Sequence, residues 1–380
     1  MVLRLSLESK EVLEMNPSNT HTFYIGVYTS QSKLGRRAEG IYQFGLDTAT
    51  GALTPQGVTP GIANPTWLTW HPNGRVLYAA SEVREHGQRS GGAAVAYARD
   101  PQTGALTRLN DALTLGAGPC HLNVHPSGRL LFAANYASGS LTVIPVQGDG
   151  RLAPASQVIQ HAGTPGPVAD RQEGPHAHCV ALDPTGQYVL AADLGLDQVL
   201  VYRIDLDGQR LAPADPPGIS LKPGAGPRHI AFHPNGRWAY VTGELDSTLT
   251  VLSWDAGRGR LQNVQVIGTL PTGWTGINYP AEVAVASNGR FVYMSNRGHD
   301  SIAIFAADPL TGQLTAAGHA STQGSFPRHF ALDPTGACMV AANQDGDNLV
   351  SYRVDADTGA LKPTGHTAIV PMPVCVRFAA

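Results

Sequence analysis

The sequence predicts an all-β chain folded as a seven-bladed β-propeller, and three observations lead there. The first is punctuation: 43 glycines and 28 prolines among 380 residues interrupt the chain too often for long helices, while 42% hydrophobic residues supply a sizeable core. The second is an internal repeat of roughly 50 residues, anchored on Gly74, Gly128, Gly186, Gly236, Gly289 and Gly336. The third is that the two chain ends complement one another as parts of one further unit.

Around each anchor an apolar alternating run is followed by a Pro-x-Gly or Asn-Gly turn and a second β run, as in NPTWLTWHPNGRVLYAASE, GPRHIAFHPNGRWAYVTGE and FPRHFALDPTGACMVAANQ. That pattern predicts a β-hairpin. Behind most hairpins comes a third strand such as LTVLSWD, SIAIFAAD or LVSYRVD. A turn such as DPLTGQL or DADTGAL then leads into a fourth, so each repeat is a blade of four antiparallel strands. At the N-terminus TFYIGVYTS, GIYQFGLD and TATGALTP read as strands two to four of a blade without its first strand, and C-terminal MPVCVRF reads as that first strand. Pairing the ends closes a seventh blade and removes exposed sheet edges. Residues 1–20 read as a loose N-terminal extension and residues 21–380 as a single propeller domain. Two sandwich domains are the alternative, against which the even repeat and the complementary ends both count.

Composition excludes several function classes. The net charge is −3 and the basic residues are scattered, which is no nucleic-acid footprint. The opening MVLRLSLESKEVLEMNPSNTH lacks a basic end followed by an apolar run, and no stretch of about 18 apolar residues occurs. A cytoplasmic protein without membrane contact is the expectation. The four cysteines show no C-x-x-C spacing and read as buried reduced thiols. There is no G-x-S-x-G, no H-E-x-x-H, no G-x-x-x-x-G-K and no G-x-G-x-x-G after a strand. NQDGDN at 343–348 reads as a tight turn rather than a calcium loop. Histidines of the HPNG-type repeat turns, His71, His125 and His233, read as scaffold, and neither a metal nor a cofactor is expected.

What recurs in every copy belongs to the scaffold, and what breaks the pattern needs another reason. Eight residues before the anchors stand Thr66, Cys120, His178, Arg228, Ala281 and Arg328. Next to them come Trp67, His121, Cys179, His229, Glu282 and His329, and eight residues after the anchors stand Glu82, Tyr136, Leu194, Glu244, Arg297 and Gln344. Positions equally far from a hairpin turn lie side by side at its open end. One channel mouth should therefore gather Arg228, Arg297, Arg328, His178, His229, His329, Glu82, Glu244 and Glu282. Any one of them could be a solvated strand end or a histidine bonded to backbone. Three converging arginines, however, need an anionic answer, from the glutamates or from a ligand. Arginine suits carboxylate or phosphate, and His and Glu suit proton transfer. Addition to a carbonyl fits, with Arg stabilising the oxyanion while His or Glu activates water.

The strings GPHAHCVALDPTG, GPRHIAFHPNGRWAYVTGEL, AEVAVASNGRFVYMSNRGHDSIAIF and FPRHFALDPTG resemble the seven-bladed propeller lactonase family, which includes propeller-type 6-phosphogluconolactonases and fungal carboxy-cis,cis-muconate lactonising enzymes. The resemblance runs from about residue 22 to the end, and the Gly-His and Trp-Asp signatures of WD-type propellers are missing. It implies a metal-independent His, Arg and Glu site at one mouth. The family His falls on His178, or on His176 if aligned by Gly-x-His; the Arg falls on Arg228. The Glu falls on Glu244, whose motif here reads Gly-Glu-Leu rather than Asn-Glu-Leu. Arg297, Arg328 and Glu282, with His229, His329 and Gln344, are candidates for substrate binding. The implied reaction is hydrolysis of a small anionic sugar lactone, 6-phospho-D-glucono-1,5-lactone to 6-phosphogluconate of the pentose phosphate pathway. In that reading Arg228 and either Arg297 or Arg328 hold the anionic group and the oxyanion, and Glu244 with His178 handles the protons. A carboxymuconate-type cycloisomerase and a non-catalytic binding module are the alternatives.

Overall fold

The computed structural model describes residues 19–379, in which the anchor turns close hairpins and the hairpins assemble into seven four-stranded antiparallel sheets. The seven innermost strands are Pro65–Trp70, Pro119–Val124, Ala177–Leu182, Pro227–Phe232, Tyr279–Val285, Pro327–Leu332 and Pro373–Phe378. Each touches the next around the axis, and the last touches the first. Blades 1 to 6 follow chain order from Pro65. Blade 7 is built from both ends: Pro373–Phe378 lies inside, followed outward by Thr20–Val27, Gly40–Asp47 and Leu53–Pro60. Phe23 faces Phe378 and Ile25 faces Val376 across the closing pair. The extension expected over residues 1–20 lies, as far as residue 18, outside the described residues.

Blades pack face to face, so their inner strands are buried on both sides and read as continuous apolar runs. Every residue of Val76–Ser81 and of Leu130–Asn135 is buried, whereas the outermost strand Leu53–Pro60 is mostly exposed. Recurrent polar links tie neighbouring blades. The phenols of Tyr78, Tyr240 and Tyr293 donate to the carbonyls of Gly150, Gly312 and Gly359, each in the outer turn of the following blade, at 2.9, 3.4 and 3.0 Å. The aspartates opening these turns hold them shut. Asp100, for example, accepts from the Gln102 and Thr103 amides at 3.0 and 2.7 Å. Histidines of the HPNG-type turns serve the scaffold: the rings of His125 and His233 meet the carbonyls of Gly186 and Gly289 in the next blade. NQDGDN is a turn between two strands, and Asp347 within it accepts from Ser32 Oγ and the Met372 amide. All four cysteines are free and buried, and among the described residues no helix is long and apolar enough to cross a membrane.

One irregularity recurs in every blade. The pairing of the innermost strand with its neighbour slips just after Pro65, Pro119, Ala177, Pro227, Pro280, Pro327 and Pro373. A β-bulge leaves an extra residue there: Thr66, Cys120, His178, Arg228, Ala281, Arg328 and Val374. Proline has no amide hydrogen to give to a ladder and is at home beside such a break. A regular strand sends successive side chains to opposite faces. The bulge interrupts that alternation and lets two consecutive side chains reach the channel.

Candidate active site

In blades 2 and 6 the two side chains delivered by the bulge go to opposite ends of the channel. Cys120, His178 and Arg328 line a cavity of 380 Å³ at the open ends of the hairpins, together with Tyr28, Glu82, Tyr136, Arg171, Glu244, Tyr279, Arg297 and Phe326. Their successors His121 and His329, with Trp67 and Glu282, line a second cavity of 580 Å³ that opens on the side of the Pro-x-Gly turns. A partition separates the two. The Trp67 indole stacks on the His121 ring at 4.0 Å, with the His229 and His329 rings edge-on to it at 5.2 and 5.3 Å.

Glu244 is the electrostatic centre of the first cavity. Its Oε1 lies 2.6 Å from Arg171 Nη2, and its Oε2 lies 2.9 Å from both Arg228 Nε and Arg297 Nη2. Burial pushes the Glu244 carboxyl up, but Arg297, Arg228, His178 and Arg171 outweigh it and hold the group well below the usual carboxylate range. Burial also draws Arg297 down, to about 9, against the pull of Glu244, so both partners stay charged at neutral pH. Such a carboxylate is a weak base and a strong anchor. Arg297 is held further by the Tyr279 carbonyl at 2.9 Å and by the face of Phe326.

Across the cavity the polarity differs. Arg328 Nη2 donates to the Tyr28 phenol at 3.1 Å, and that phenol donates to Glu82 Oε1 at 3.0 Å. Among the described residues Arg328 has no carboxylate within ion-pair distance, unlike Arg171, Arg228 and Arg297. His178 sits between the two banks with its Nδ1 3.8 Å from Cys120 Sγ. Burial, reinforced by Arg228, keeps its imidazole well below the usual value and therefore neutral, although Glu244 favours the imidazolium.

The structure thus joins His178, Arg228, Glu244, Arg297 and Arg328 at one mouth. It does not bring the whole expected ring there. Glu282 and His329 line the rear cavity and His229 stands in the partition, because a bulge that the hairpin count does not reveal sends them the other way. His176 stacks on Tyr136 at 4.6 Å, and its ring nitrogens meet the Tyr136 carbonyl and Glu173. Gln344 bonds Asp345 and lines neither cavity. Residues that the sequence reading left out of the site are Arg171, Tyr28, Tyr136, Tyr279 and Phe326, with Glu82, which it counted in the ring but gave no role. Arg171 stands on the inter-blade segment 161–176, which has no counterpart in a repeat alignment. The one sign of it was the long interval between Gly128 and Gly186. Among the described residues no group of three His, Cys, Asp or Glu side chains is placed to hold a metal ion.

Comparison with known proteins agrees with this architecture. A family model described as "Lactonase, 7-bladed beta-propeller" matches residues 22–378. The chain is 40% identical to the 6-phosphogluconolactonase of Bacillus subtilis (strain 168) over 357 residues, which is 94% of this chain and 99% of that protein. It is 34% identical over 274 residues to the 6-phosphogluconolactonase of Pectobacterium carotovorum, covering 72% of this chain and 75% of that one. Among solved structures, the periplasmic gluconolactonase of Pseudomonas aeruginosa superposes with a TM-score of 0.88 at 36% identity, covering 95% of this chain and 99% of that chain.

Proposed function

The chain belongs to the seven-bladed β-propeller lactonase family, and from that premise we propose that it hydrolyses 6-phospho-D-glucono-1,5-lactone to 6-phosphogluconate. The observation that carries the phosphorylated substrate is the charge around the mouth cavity. Three guanidiniums (Arg171, Arg297 and Arg328) line it with two carboxylates (Glu82 and Glu244), a fourth, Arg228, is buried against Glu244, and Arg328 is not neutralised by either carboxylate at close range. A dianionic phosphate answers that excess, and arginine recognises it through paired N–H donors.

In this reading the neutral His178 ring takes a proton from a water as the water oxygen bonds to C1 of the lactone. The C1 oxyanion is met by a guanidinium of the Glu244 cluster, held in place before the reaction begins. One such donor contributes about 3 kcal/mol. When the tetrahedral intermediate collapses, the bond from C1 to the ring oxygen breaks and the imidazolium returns its proton to that oxygen. Glu244 stabilises the imidazolium in between while remaining ionised itself. Release of acid from the purified protein mixed with the phosphorylated lactone is the test, and a rate no faster than buffer would overturn the assignment. A second reading, an unphosphorylated gluconolactone, is favoured by the likeness to the Pseudomonas gluconolactonase. The ratio of kcat/KM for the two lactones separates them. A phosphorylated substrate also accords with a cytoplasmic setting.

A further inference from the structure

The catalytic arginine is supported from the rear of the channel as well as from its mouth. Arg228 Nη1 lies 3.1 Å from His229 Nε2. A guanidinium nitrogen can only donate, so Nε2 accepts and the His229 proton sits on Nδ1. That Nδ1–H points at Glu282 Oε2, 2.9 Å away. On the other side His329 Nδ1 accepts from the Val376 amide at 3.3 Å, which leaves its Nε2–H on the side of the same Glu282 oxygen, 3.1 Å away. The Val283 amide donates to Glu282 Oε1 at 3.1 Å, and the Glu282 amide is tied to Ser295 Oγ. The tautomer of each ring is dictated by its neighbours.

We infer that Glu282 is a positioning residue for Arg228, acting through His229 from the rear cavity, so that the charge state of one face of the propeller governs the geometry of the site on the other. Glu244 holds the Nε side of the guanidinium and the Glu282–His229 pair holds the Nη1 side. Glu282 is reached from the rear cavity, not from the cavity that takes the lactone. The groups facing it are Arg228 and His229 from blade 4, His329 from blade 6, Arg377 and Cys375 from blade 7, and Cys179 from blade 3, with His121 of blade 2 against the His229 ring. Burial pushes the Glu282 carboxyl up, to about 8, against the pull of Arg228, the Val283 amide and Arg377. Its charge therefore changes in the neutral range. Once protonated it loses the charge that orients the His229 Nδ1–H, and with its hydroxyl turned to His229 the ring accepts only by moving its own proton to Nε2, where it meets the N–H of Arg228. The rear hold on Arg228 is then lost.

The kinetic test rests on the lactonase reading above; a second readout does not. With the full chain and 6-phosphogluconolactone, wild-type kcat should fall as the pH drops through about 8, where Glu282 takes up its proton. Glu282→Gln should lower kcat by about 10- to 100-fold, as expected for a misplaced catalytic group, leave KM nearly unchanged and lack that acid limb. If Glu282→Gln does not fold, His229→Gln carries the test, since it breaks the bridge while Glu282 keeps His329. Parental kcat and an unchanged acid limb in a folded variant of either kind would overturn the inference. Independently, the side-chain Nε–H resonance of Arg228, assigned with Arg228→Lys, should shift with pH in the wild type over the same range and be constant in Glu282→Gln. A resonance that does not respond in the wild type also overturns it. A wild-type protein inactive on the lactone sinks the substrate assignment alone, because the resonance still decides this point.

Discussion

Arg328 and Glu244 show how two charged residues of one cavity come to different work. Arg171, Arg228 and Arg297 converge on Glu244, so a substrate anion must compete with a carboxylate for them. Among the described residues Arg328 is hydrogen-bonded only to the Tyr28 phenol and is available. Arg328→Ala should therefore raise KM for the phosphorylated lactone by about 10- to 100-fold, the worth of a charge-assisted hydrogen bond. Its kcat/KM for the unphosphorylated lactone should change far less, and steady-state kinetics on both substrates checks this. Glu244→Ala leaves three arginines facing one another with no anion among them. Removing one partner of a buried ion pair costs about 3–5 kcal/mol, so thermal or urea unfolding should show a loss of that order, with activity abolished.

Among the elements, the bulge and the inter-blade segment 161–176 decide what the mouth contains. The segment lies tight on blade 3: Gly166 N donates to the Gly195 carbonyl at 2.8 Å, and Gln172 Nε2 donates to the Leu194 carbonyl and Asp197, both at 2.8 Å. A Cβ on Gly195 would come within 1.7 Å of the Gly174 carbonyl oxygen. Gly195→Ala should consequently lift the segment, withdraw Arg171 from Glu244 and raise KM, while the far-ultraviolet circular dichroism of the propeller stays parental. Unaltered kinetics would show that Arg171 contributes little to binding.

For the whole molecule, ring closure and the buried histidines set the stability. Deleting residues 372–380 removes the innermost strand of blade 7 and exposes the edges of Thr20–Val27 and of the neighbouring blades. Cooperative unfolding should be lost, as differential scanning calorimetry would show. The pH dependence follows from linkage. His121, His178, His229 and His329 are all held below the ordinary 6.5 by burial, with His329 at about 3. The unfolded chain binds more protons than the native one in that window, so their contribution is complete above 6.5 and is lost as pH falls toward 3. Glu244, also depressed, adds a loss below its ordinary 4.5. Glu282, raised to about 8, works the other way between 4.5 and 8. One group opposes five, so the melting temperature should drop steeply between pH 6.5 and pH 4. Equal midpoints at those two values would contradict the neutral histidines.

The amino-acid sequence by itself determined the propeller, its seven blades and the shared closing blade, because those follow from local patterning: alternation, turn residues and a period that survives in every copy. It also singled out Arg228, Glu244, His178, Arg297 and Arg328, since each breaks a repeat column that hairpin geometry directs to one end. Only the tertiary structure decided which way the adjacent His229, His329 and Glu282 face. A bulge changes side-chain direction without changing the apolar pattern around it, and the prolines that accompany it are equally at home in ordinary turns. Only the tertiary structure, likewise, brought Arg171 and Tyr28 to the site. Arg171 lies on a segment outside the repeat and Tyr28 on the blade built from both chain ends, which has no anchor glycine, and their distance from Glu244 and Arg328 is set by the packing of distant blades rather than by spacing along the chain.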